Sequence, residues 1–318
     1  MFDRRLNLAP MMDYTDRHYR YFLRLLSSKV VLYTEMLTTG ALLHHDPARW
    51  LQFDPAEHPI ALQLGGNNPT DLAACAKLAE EFAYDEINLN VGCPSDRVQS
   101  GCFGAALMAQ PSLVAECVAA MCAAVRVPIT VKTRIGIDEQ DSYAELQAFI
   151  STVAAAGCDV FIMHARKAWL QGLSPKQNRQ IPPLRYEVVH QLKKDFPHLT
   201  IIINGGIKTT HEALTQLKEV DGIMIGREAY HNPYLLAHLQ HLLEGDPLPE
   251  RSLIIERLLP YVTQQLAEGV RLSQISRHLL GLFQGLAGAR QWRRYLTEQA
   301  RTPAADAQVL IHALDYVL

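Results

Sequence analysis

Eight short apolar runs separated by stretches of helical periodicity occupy the first 245 residues of this chain of 318 residues. The runs have strand character and cover residues 6–11, 30–33, 60–64, 86–90, 129–132, 160–164, 201–204 and 222–225. Helical patterns follow six of them, at residues 17–26, 71–82, 112–125, 143–156, 186–196 and 211–218. Strands that alternate with helices require a parallel sheet with right-handed crossovers, and eight such units close a (β/α)8 barrel. We therefore predict an α/β fold, a TIM barrel. An open doubly wound sheet is the alternative, but the chain has no G-x-G-x-x-G turn after an early strand.

The chain changes character at Gly245-Asp246-Pro247-Leu248-Pro249, a cluster of residues that break regular structure. Beyond it the pattern is helical only, over residues 254–268, 273–283, 291–299 and 304–317. We expect a catalytic barrel over residues 1–244, followed by a small all-helical bundle over residues 245–318.

Composition indicates the compartment and the partners of the protein rather than its activity. A net charge of −3 argues against attraction of the whole surface to nucleic acid or lipid, although local basic patches stay possible. The sequence shows neither an export signal nor an apolar run of about 20 residues, so we expect a cytoplasmic protein without a membrane partner. None of the six cysteines forms a C-x-x-C pair, and we expect reduced thiols and no bound metal.

Polar residues stand at the ends of the predicted strands, where barrel enzymes place their catalytic groups. One such residue would ordinarily be a cap or a solvated side chain, but several strands carry one. The set comprises Gln63, Asn90, Cys93, Lys132, Arg134, His164, Arg166 and Asn204. Taken alone, Cys93 could be a redox thiol, a metal ligand, a nucleophile, a proton donor or a small buried hydrophobe. The missing C-x-x-C partner disfavours the first two roles.

Two glycine-containing segments suggest a phosphate site. Asn204-Gly205-Gly206 and Ile225-Gly226-Arg227 follow the seventh and eighth runs, whose loops commonly bind phosphate in these barrels. Lys132 and Gln63 could then reach a planar ring over the barrel mouth, and a lysine beside a flavin stabilises its reduced anionic form. The alternative for Lys132 is a salt bridge within the barrel. For His164 we expect hydrogen bonding to a cofactor or substrate.

Seven segments in register carry a family resemblance. They are A-P-M-M at 9–12, Q-L-G-G at 63–66, N-L-N-V-G-C-P at 88–94, V-K-T-R at 131–134, H-A-R at 164–166, N-G-G at 204–206 and I-G-R at 225–227. Together they resemble the tRNA-dihydrouridine synthases, and residues 163–183 and 281–295 are similar to the bacterial A-type enzymes. The resemblance implies an FMN-dependent barrel that reduces the C5=C6 bond of uridine in the tRNA D-loop, at positions 20 and 20a, with NADPH as electron donor.

The resemblance also implies roles for individual residues. The positions that match FMN contacts are Pro10, Met11, Met12, Gln63, Lys132, His164, Asn204, Gly205, Gly206, Gly226 and Arg227. The cysteine that matches Cys93 is the proton donor. Hydride transfer from flavin N5 to uracil C6 leaves C5 to be protonated, and a neutral thiol is a suitable acid for that step. Asn90 and Arg166 are expected to hold the uracil.

Basic residues are concentrated in residues 166–194 and 271–301. Such runs are more often solvated faces than binding sites, but the resemblance makes some of them candidates for tRNA contact. These are Arg97, Lys176, Arg179, Arg290 and Arg293. Trp292 either joins the ring-and-guanidinium pattern of residues 290–295 or belongs to the core.

The expected partners are tRNA and NAD(P)H, and the expected state is a monomer. Two other functions are possible. A flavin barrel could reduce a small free pyrimidine or enone, and a non-catalytic module could bind RNA.

Overall fold

A closed barrel of eight parallel strands forms the centre of the computed structural model, which describes residues 2–95 and 101–318. The strands are β1 Leu6–Leu8, β2 Leu32–Thr38, β3 Ile60–Gly65, β4 Glu86–Val91, β5 Ile129–Arg134, β6 Val160–His164, β7 Thr200–Asn204 and β8 Gly222–Ile225. Their order in the sheet is β1-β8-β7-β6-β5-β4-β3-β2. A bridge between Asn7 and Val31 joins β1 to the start of β2 and closes the ring. The predicted (β/α)8 barrel is confirmed.

Helices cover the outside of the barrel. They are α1 Arg17–Leu26, α2 Thr39–Leu43, α3 Ala48–Leu51, α4 Pro69–Glu81, α5 Pro111–Ala124, α6 Tyr143–Ala155, α7 Tyr186–Asp195, α8 Thr210–Gln216, α9 Arg227–His231 and α10 Tyr234–Glu244. All six helices predicted from the pattern of residues 1–244 are present. The sequence pattern did not predict α10, although Pro233 precedes this helix and Gly245 ends it in the left-handed conformation, with φ 77°.

Side-chain caps decide where several of these helices begin. Asp16 accepts hydrogen bonds from the backbone of His18 and Tyr19, and Asn68 caps α4 in the same way. Ser142 and Thr209 each form a capping box with the glutamate three residues later. Because each cap satisfies otherwise unpaired backbone N–H groups, it also defines the end of the preceding loop.

The first two strands differ from their predicted bounds. β1 ends at Leu8 rather than continuing to Met11, because Met11 O accepts from the backbone N–H groups of Tyr14 and Thr15 and so turns the chain. β2 extends to Thr38 with an irregularity between Tyr33 and Met36.

The barrel interior is apolar on one side and polar on the other. Residues of β6, β7, β8 and β2 supply the apolar side, together with Ala61 of β3 and Ala9, which directly follows β1. On β4 the side chains alternate, so that Ile87, Leu89 and Val91 join the core beneath the helices. The other β4 side chains, Glu86, Asn88 and Asn90, face the barrel interior. Together with Gln63 of β3 and Thr130 of β5 they form a buried polar set.

Helices also form the region after Gly245. They are α11 Arg251–Ala267, α12 Leu272–Ser276, α13 Ala289–Gln299 and α14 Gln308–Leu314. The helix predicted at 273–283 is wrong beyond Ser276, and the helix predicted at 304–317 is confined to Gln308–Leu314. Gly281 lies so close to the barrel that a Cβ there would be 2.5 Å from His231 O, and the chain follows turns at this point.

The C-terminal helices pack against α1 of the barrel. Tyr21 stacks on Tyr261 with the ring centroids 3.9 Å apart, and His18 Nδ1 is 2.7 Å from Tyr261 Oη. Asp16, the cap of α1, binds His278 at 3.0 Å and pairs with Arg277. The division of the chain into two units at residue 245 stays a prediction. Among the residues described, no helix has the length and apolar character needed to cross a membrane.

Candidate functional site

The carboxyl ends of the strands bring five of the predicted residues to one mouth of the barrel. Asn90 is paired in register with Lys132, and His164 with Asn204. Lys132 Nζ donates to Asn204 Oδ1 at 3.2 Å, and Asn90 Nδ2 donates to Gln63 Oε1 at 2.9 Å. The grouping predicted from strand ends alone is therefore present in three dimensions, because parallel strands end at the same edge.

Cys93 lies in a tight turn directly after β4. Asn90 Oδ1 accepts from the backbone N–H groups of both Gly92 and Cys93, each at 3.0 Å. The backbone passes so close to β5 that a Cβ on Gly92 would lie 3.3 Å from the carbonyl carbon of Thr133. The Cys93 side chain is half-buried, and its Sγ is 3.5 Å from Ser95 Oγ. The thiol is thus held by the turn at a partly open position.

Basic side chains surround this turn. Loss of hydration lowers the pKa of Lys132 to about 7, and the charge of Arg134 contributes. Burial also lowers the pKa of Arg134 to about 10. The pKa of His164 falls well below its ordinary value, because of its burial and then the charges of Arg134 and Lys132. Arg166 and Arg179 add to the same positive field.

No carboxylate of the described residues forms an ion pair with any of these basic side chains. The salt bridge considered for Lys132 is therefore not present there, and this lysine binds the Asn204 amide instead. Cations that are buried without counter-charges destabilise the protein unless an anion binds among them. The mouth is accordingly suited to an anionic ligand.

Arg134 also joins two loops by hydrogen bonds, a role that the sequence pattern does not predict. Its Nε donates to Gly92 O at 2.8 Å, and its Nη1 donates to Lys167 O and Asn178 O, each at 3.0 Å. These bonds join the Cys93 turn to the loop after β6. Asn178 is fully buried and bonds in turn to the backbone of Trp169. No sequence pattern singled out Asn178.

The loop after β7 passes close to His164 without side chains of its own. Gly205 and Gly206 have φ values of 119° and 74°, which favour glycine. A Cβ on Gly205 would lie 2.9 Å from His164 Cδ2, and one on Gly206 would lie 2.8 Å from Tyr186 Oη. Tyr186 Oη donates to Gly205 O at 2.6 Å and fixes this loop.

The loops after β8 and β1 complete the mouth. Gly226 caps α9, and a Cβ there would be 3.7 Å from Met11 Sδ. Arg227 Nη2 donates to Arg179 O at 3.3 Å, which brings the β8 loop to the β6 loop. Pro10 and Met11 are partly buried, whereas Met12 is 54% exposed. Apolar side chains, bare backbone and cations at one mouth fit a group that combines a planar ring with a phosphate, as FMN does.

Arg166 contributes an unused donor to the site. Its Nη1 donates to Pro182 O and, at 3.4 Å, to Gln180 O. Its Nε is buried and has no hydrogen-bond partner among the described residues. Buried donors are ordinarily satisfied, so a ligand oxygen at this position would stabilise Arg166.

The residues suggested for tRNA contact lie in different places. Lys176 and Arg179 are exposed beside the mouth, in the loop after β6. Arg290 and Arg293 lie on α13, and Arg293 donates to Gln284 at 3.0 Å. Arg97 falls outside the described residues.

Trp292 belongs to the core. It is fully buried, and its Nε1 donates to Leu279 O at 3.0 Å. Of the two interpretations of this residue, the core is correct and the exposed ring pattern is wrong. Arg277, which was not singled out, is the arginine of the C-terminal region that contacts the barrel cap Asp16.

The remaining cysteines differ from Cys93 in their surroundings. Cys75, Cys117 and Cys158 are buried, and burial raises the pKa of Cys75 to about 12 and of Cys117 to about 11. Cys102 is exposed in the following loop, with φ 55°. Within residues 2–95 and 101–318 no cluster of His, Cys, Asp and Glu could hold a metal ion.

Fold and site together define a class of protein, a (β/α)8 barrel whose mouth gathers cations and glycine-lined loops around a half-buried cysteine. The sequence model described as dihydrouridine synthase (Dus) matches residues 7–317. The chain therefore belongs to the dihydrouridine synthase family, as the seven segments predicted.

Three curated relatives cover nearly the whole chain, and each is called a tRNA-dihydrouridine(20/20a) synthase. The relative from Vibrio cholerae serotype O1 is 59% identical over 313 residues, which are 98% of this chain and 95% of that protein. The one from Shewanella oneidensis is 60% identical over 97% of this chain and 92% of its own length. The one from Escherichia coli K12 is 58% identical over 98% of this chain and 91% of its own length. The similarity includes the C-terminal helices, which a reductase of free pyrimidines does not explain. A non-catalytic RNA-binding module does not explain Cys93 and Lys132 at the barrel mouth.

Proposed function

We propose that this protein reduces the C5=C6 bond of uridines 20 and 20a in the D-loop of tRNA, with FMN as its cofactor and NADPH as electron donor. The observation that carries the proposal is the likeness, at 58% to 60% identity and nearly full length, to proteins named for that modification. The cationic mouth around Cys93 supports it independently, because both FMN and tRNA are anionic.

The residues that would hold FMN fall into two groups. Gly205, Gly206, Gly226 and Arg227 would bind the phosphate, through backbone N–H groups and the Arg227 guanidinium in the loops after β7 and β8. The ring would contact the other matched positions, which are Pro10, Met11, Met12, Gln63, Lys132, His164 and Asn204. Bound FMN, once reduced by NADPH, supplies a hydride to C6 of the uracil.

Cys93 gives the second hydrogen. Its Sγ donates a proton to C5, and the negative charge that remains on sulfur lies close to Lys132 and Arg134. Because the side chain is only half-buried, solvent can return the proton after product leaves. Arg166 Nε supplies a donor for a uracil carbonyl, and Asn90 Nδ2 keeps a second hydrogen beyond the one given to Gln63.

The phosphate backbone of tRNA makes the contacts that bring the target base to the mouth. The target base must leave its stack to enter a barrel, as in other enzymes that modify bases. Lys176 and Arg179 beside the mouth, Arg290 and Arg293 on α13, and Arg97 are the proposed phosphate contacts. We assign the reaction to a cytoplasmic monomer.

The test is reconstitution with defined components. The purified protein should be yellow and release FMN, and with NADPH it should form dihydrouridine at positions 20 and 20a of unmodified tRNA. Mass spectrometry of nuclease fragments locates the product, and a tRNA with cytidine at both positions is the control. A colourless protein that FMN does not reconstitute, or a yellow one that leaves uridines 20 and 20a unreduced, would contradict the proposal.

A further inference from the structure

A continuous chain of buried hydrogen bonds runs through the barrel interior to the Cys93 turn. It begins at Glu86, whose Oε1 accepts from Thr130 Oγ1 at 2.6 Å, and Thr130 Oγ1 accepts from Asn88 Nδ2 at 2.8 Å. Asn88 Oδ1 accepts from Gln63 Nε2 at 2.8 Å, and Gln63 Oε1 accepts from Asn90 Nδ2 at 2.9 Å. Asn90 Oδ1 then accepts the two backbone N–H groups of the turn.

The carboxylate at the start determines the direction of every bond. Glu86 pairs with Arg4 and also accepts from Tyr33 Oη at 2.7 Å, so it presents only acceptors. Thr130 must therefore give its single proton to Glu86, and its oxygen is left to accept from Asn88.

The orientation of each side-chain amide in the chain follows from that of Thr130. Asn88 must turn its NH2 group toward Thr130, which leaves its oxygen for Gln63, and Gln63 in turn leaves its oxygen for Asn90. Asn90 is thereby forced to present its oxygen to the turn. A flipped Asn90 would oppose its NH2 group to two backbone N–H groups, donor against donor.

We propose that Thr130 and Asn88 are positioning residues for Cys93, acting through this chain on the turn that carries the thiol. The inference rests on the proposed function, in which Cys93 protonates C5. Neither residue was among the candidates from strand ends, because both lie one layer deeper in the barrel. Their part is to set the orientation of the Asn90 amide, and through it the direction in which the thiol faces.

Substitutions at Thr130 separate this role from simple packing. Thr130→Val keeps the shape and removes the hydroxyl, whereas Thr130→Ser keeps the hydroxyl and removes a methyl group. We expect Thr130→Val to lower kcat for uridine reduction at least about 10-fold with bound FMN and KM for tRNA little changed, and Thr130→Ser to stay within about 2-fold of wild type. A packing role predicts the opposite order, since serine leaves a void and valine does not.

Thr152→Val is the control for loss of a threonine hydroxyl. Thr152 lies on α6 outside the barrel, and its hydroxyl donates to Ala148 O at 2.8 Å. We expect this variant to keep wild-type kcat. Should Thr130→Val not fold, Thr130→Ala is compared with Thr130→Ser, since these two differ only by the hydroxyl oxygen.

A second readout needs no turnover. In the FMN-free protein, the rate at which iodoacetamide alkylates Cys93, relative to Cys102 in the same molecule, reports the orientation of the turn. We expect Thr130→Val to change this ratio at least about 3-fold and Thr130→Ser to leave it unchanged. If Thr130→Val matches wild type in kcat and in this ratio, or if serine impairs both as much as valine does, the inference is wrong. An inactive wild-type enzyme would instead reject the proposed function, and the alkylation ratio would still test the chain.

Discussion

At the scale of one residue, burial at the barrel mouth lowers the pKa of Lys132 and so couples its protonation to the binding of an anion. Its pKa of about 7 lies below the ordinary value of 10.5, so the folded protein without a ligand binds fewer protons than the unfolded chain between those two values. The stability of that protein should therefore rise with pH across this window, and the full penalty is present below pH 7. An anion beside Lys132 removes the penalty by returning the proton.

This leads to a calorimetric prediction. At pH 8, above its pKa of about 7, Lys132 is mostly neutral without FMN, and binding of FMN should be accompanied by proton uptake. Titrations in two buffers with different ionisation enthalpies measure the uptake. Lys132→Met should abolish it, whereas Lys77→Met, an exposed lysine of α4, should not change it. Equal uptake by wild type and Lys132→Met would show that another group takes the proton.

Cys93 carries the residue-scale prediction for catalysis. Cys93→Ala should keep FMN and tRNA binding but lower uridine reduction by about 10² to 10⁴, the usual contribution of a general acid. Dihydrouridine formed in a single turnover measures the decrease. Cys102→Ala, which changes an exposed cysteine nine positions further along the chain, should retain full activity. Full activity of Cys93→Ala would reject the role of this thiol.

At the scale of elements, the loop after β7 requires glycine at position 206 because a side chain would not fit there, more than because of its positive φ. Gly206 and Gly172 have similar φ values of 74° and 80°, but a Cβ on Gly206 would collide with Leu184 and Tyr186, whereas Gly172 has open space. We expect Gly172→Ala to cost about 1 kcal/mol in the free energy of unfolding, the ordinary penalty of this conformation. Gly206→Ala should cost at least about 2 kcal/mol more and weaken FMN binding at least 10-fold. Urea unfolding and FMN fluorescence measure both, and equal effects of the two variants would contradict the steric explanation.

The cap of α1 connects the barrel to the C-terminal helices. Burial opposes ionisation of Asp16, but bonds to His278, Tyr19 and Arg277 outweigh it and hold the pKa well below its ordinary value of 3.8. A lowered carboxylate pKa gives stability that is complete above pH 3.8 and is lost as the pH falls below it.

Asp16→Asn should accordingly lower the free energy of unfolding by about 2 kcal/mol at pH 7, because it removes charge-assisted bonds at a junction. The difference from wild type should shrink below pH 3.8. Denaturant unfolding at both pH values measures it, with the exposed Asp315→Asn as control. A difference that does not depend on pH would mean that the ionised carboxylate is not what stabilises the junction.

At the scale of the whole molecule, a chain of net charge −3 binds a polyanion only if its cations are gathered on one face. We expect replacement of Lys176, Arg179, Arg290 and Arg293 by glutamine to weaken tRNA binding. It should also reduce the slope of log Kd against log salt by about 0.7 to 0.9 for each phosphate that the variant no longer neutralises. Replacement of Lys77 and Lys218 on the outer barrel wall is the control. An unchanged salt dependence in the quadruple variant would place the docking surface elsewhere.

The confirmed predictions are those in which the signal is local. Each strand and most helices are encoded within windows of about ten residues, and the carboxyl ends of parallel strands necessarily meet at one edge. The polar set at the mouth is therefore predictable from the sequence. The helix missed at Tyr234–Glu244 and the turns that replace helix after Ser276 show the limits of such windows, because packing of Gly281 against His231 is not visible in its neighbours.

The sequence by itself determined the eight units of the barrel, the glycines of the loops after β7 and β8, the family and the cysteine at its mouth. Only the tertiary structure decided that the mouth cations lie without carboxylate partners among the described residues, that Trp292 is core, and that Glu86 directs a hydrogen-bond chain to Cys93. The physical reason is distance along the chain. Glu86 meets Arg4 across 82 positions and Thr130 across 44, and such partners follow from strand register rather than from local pattern.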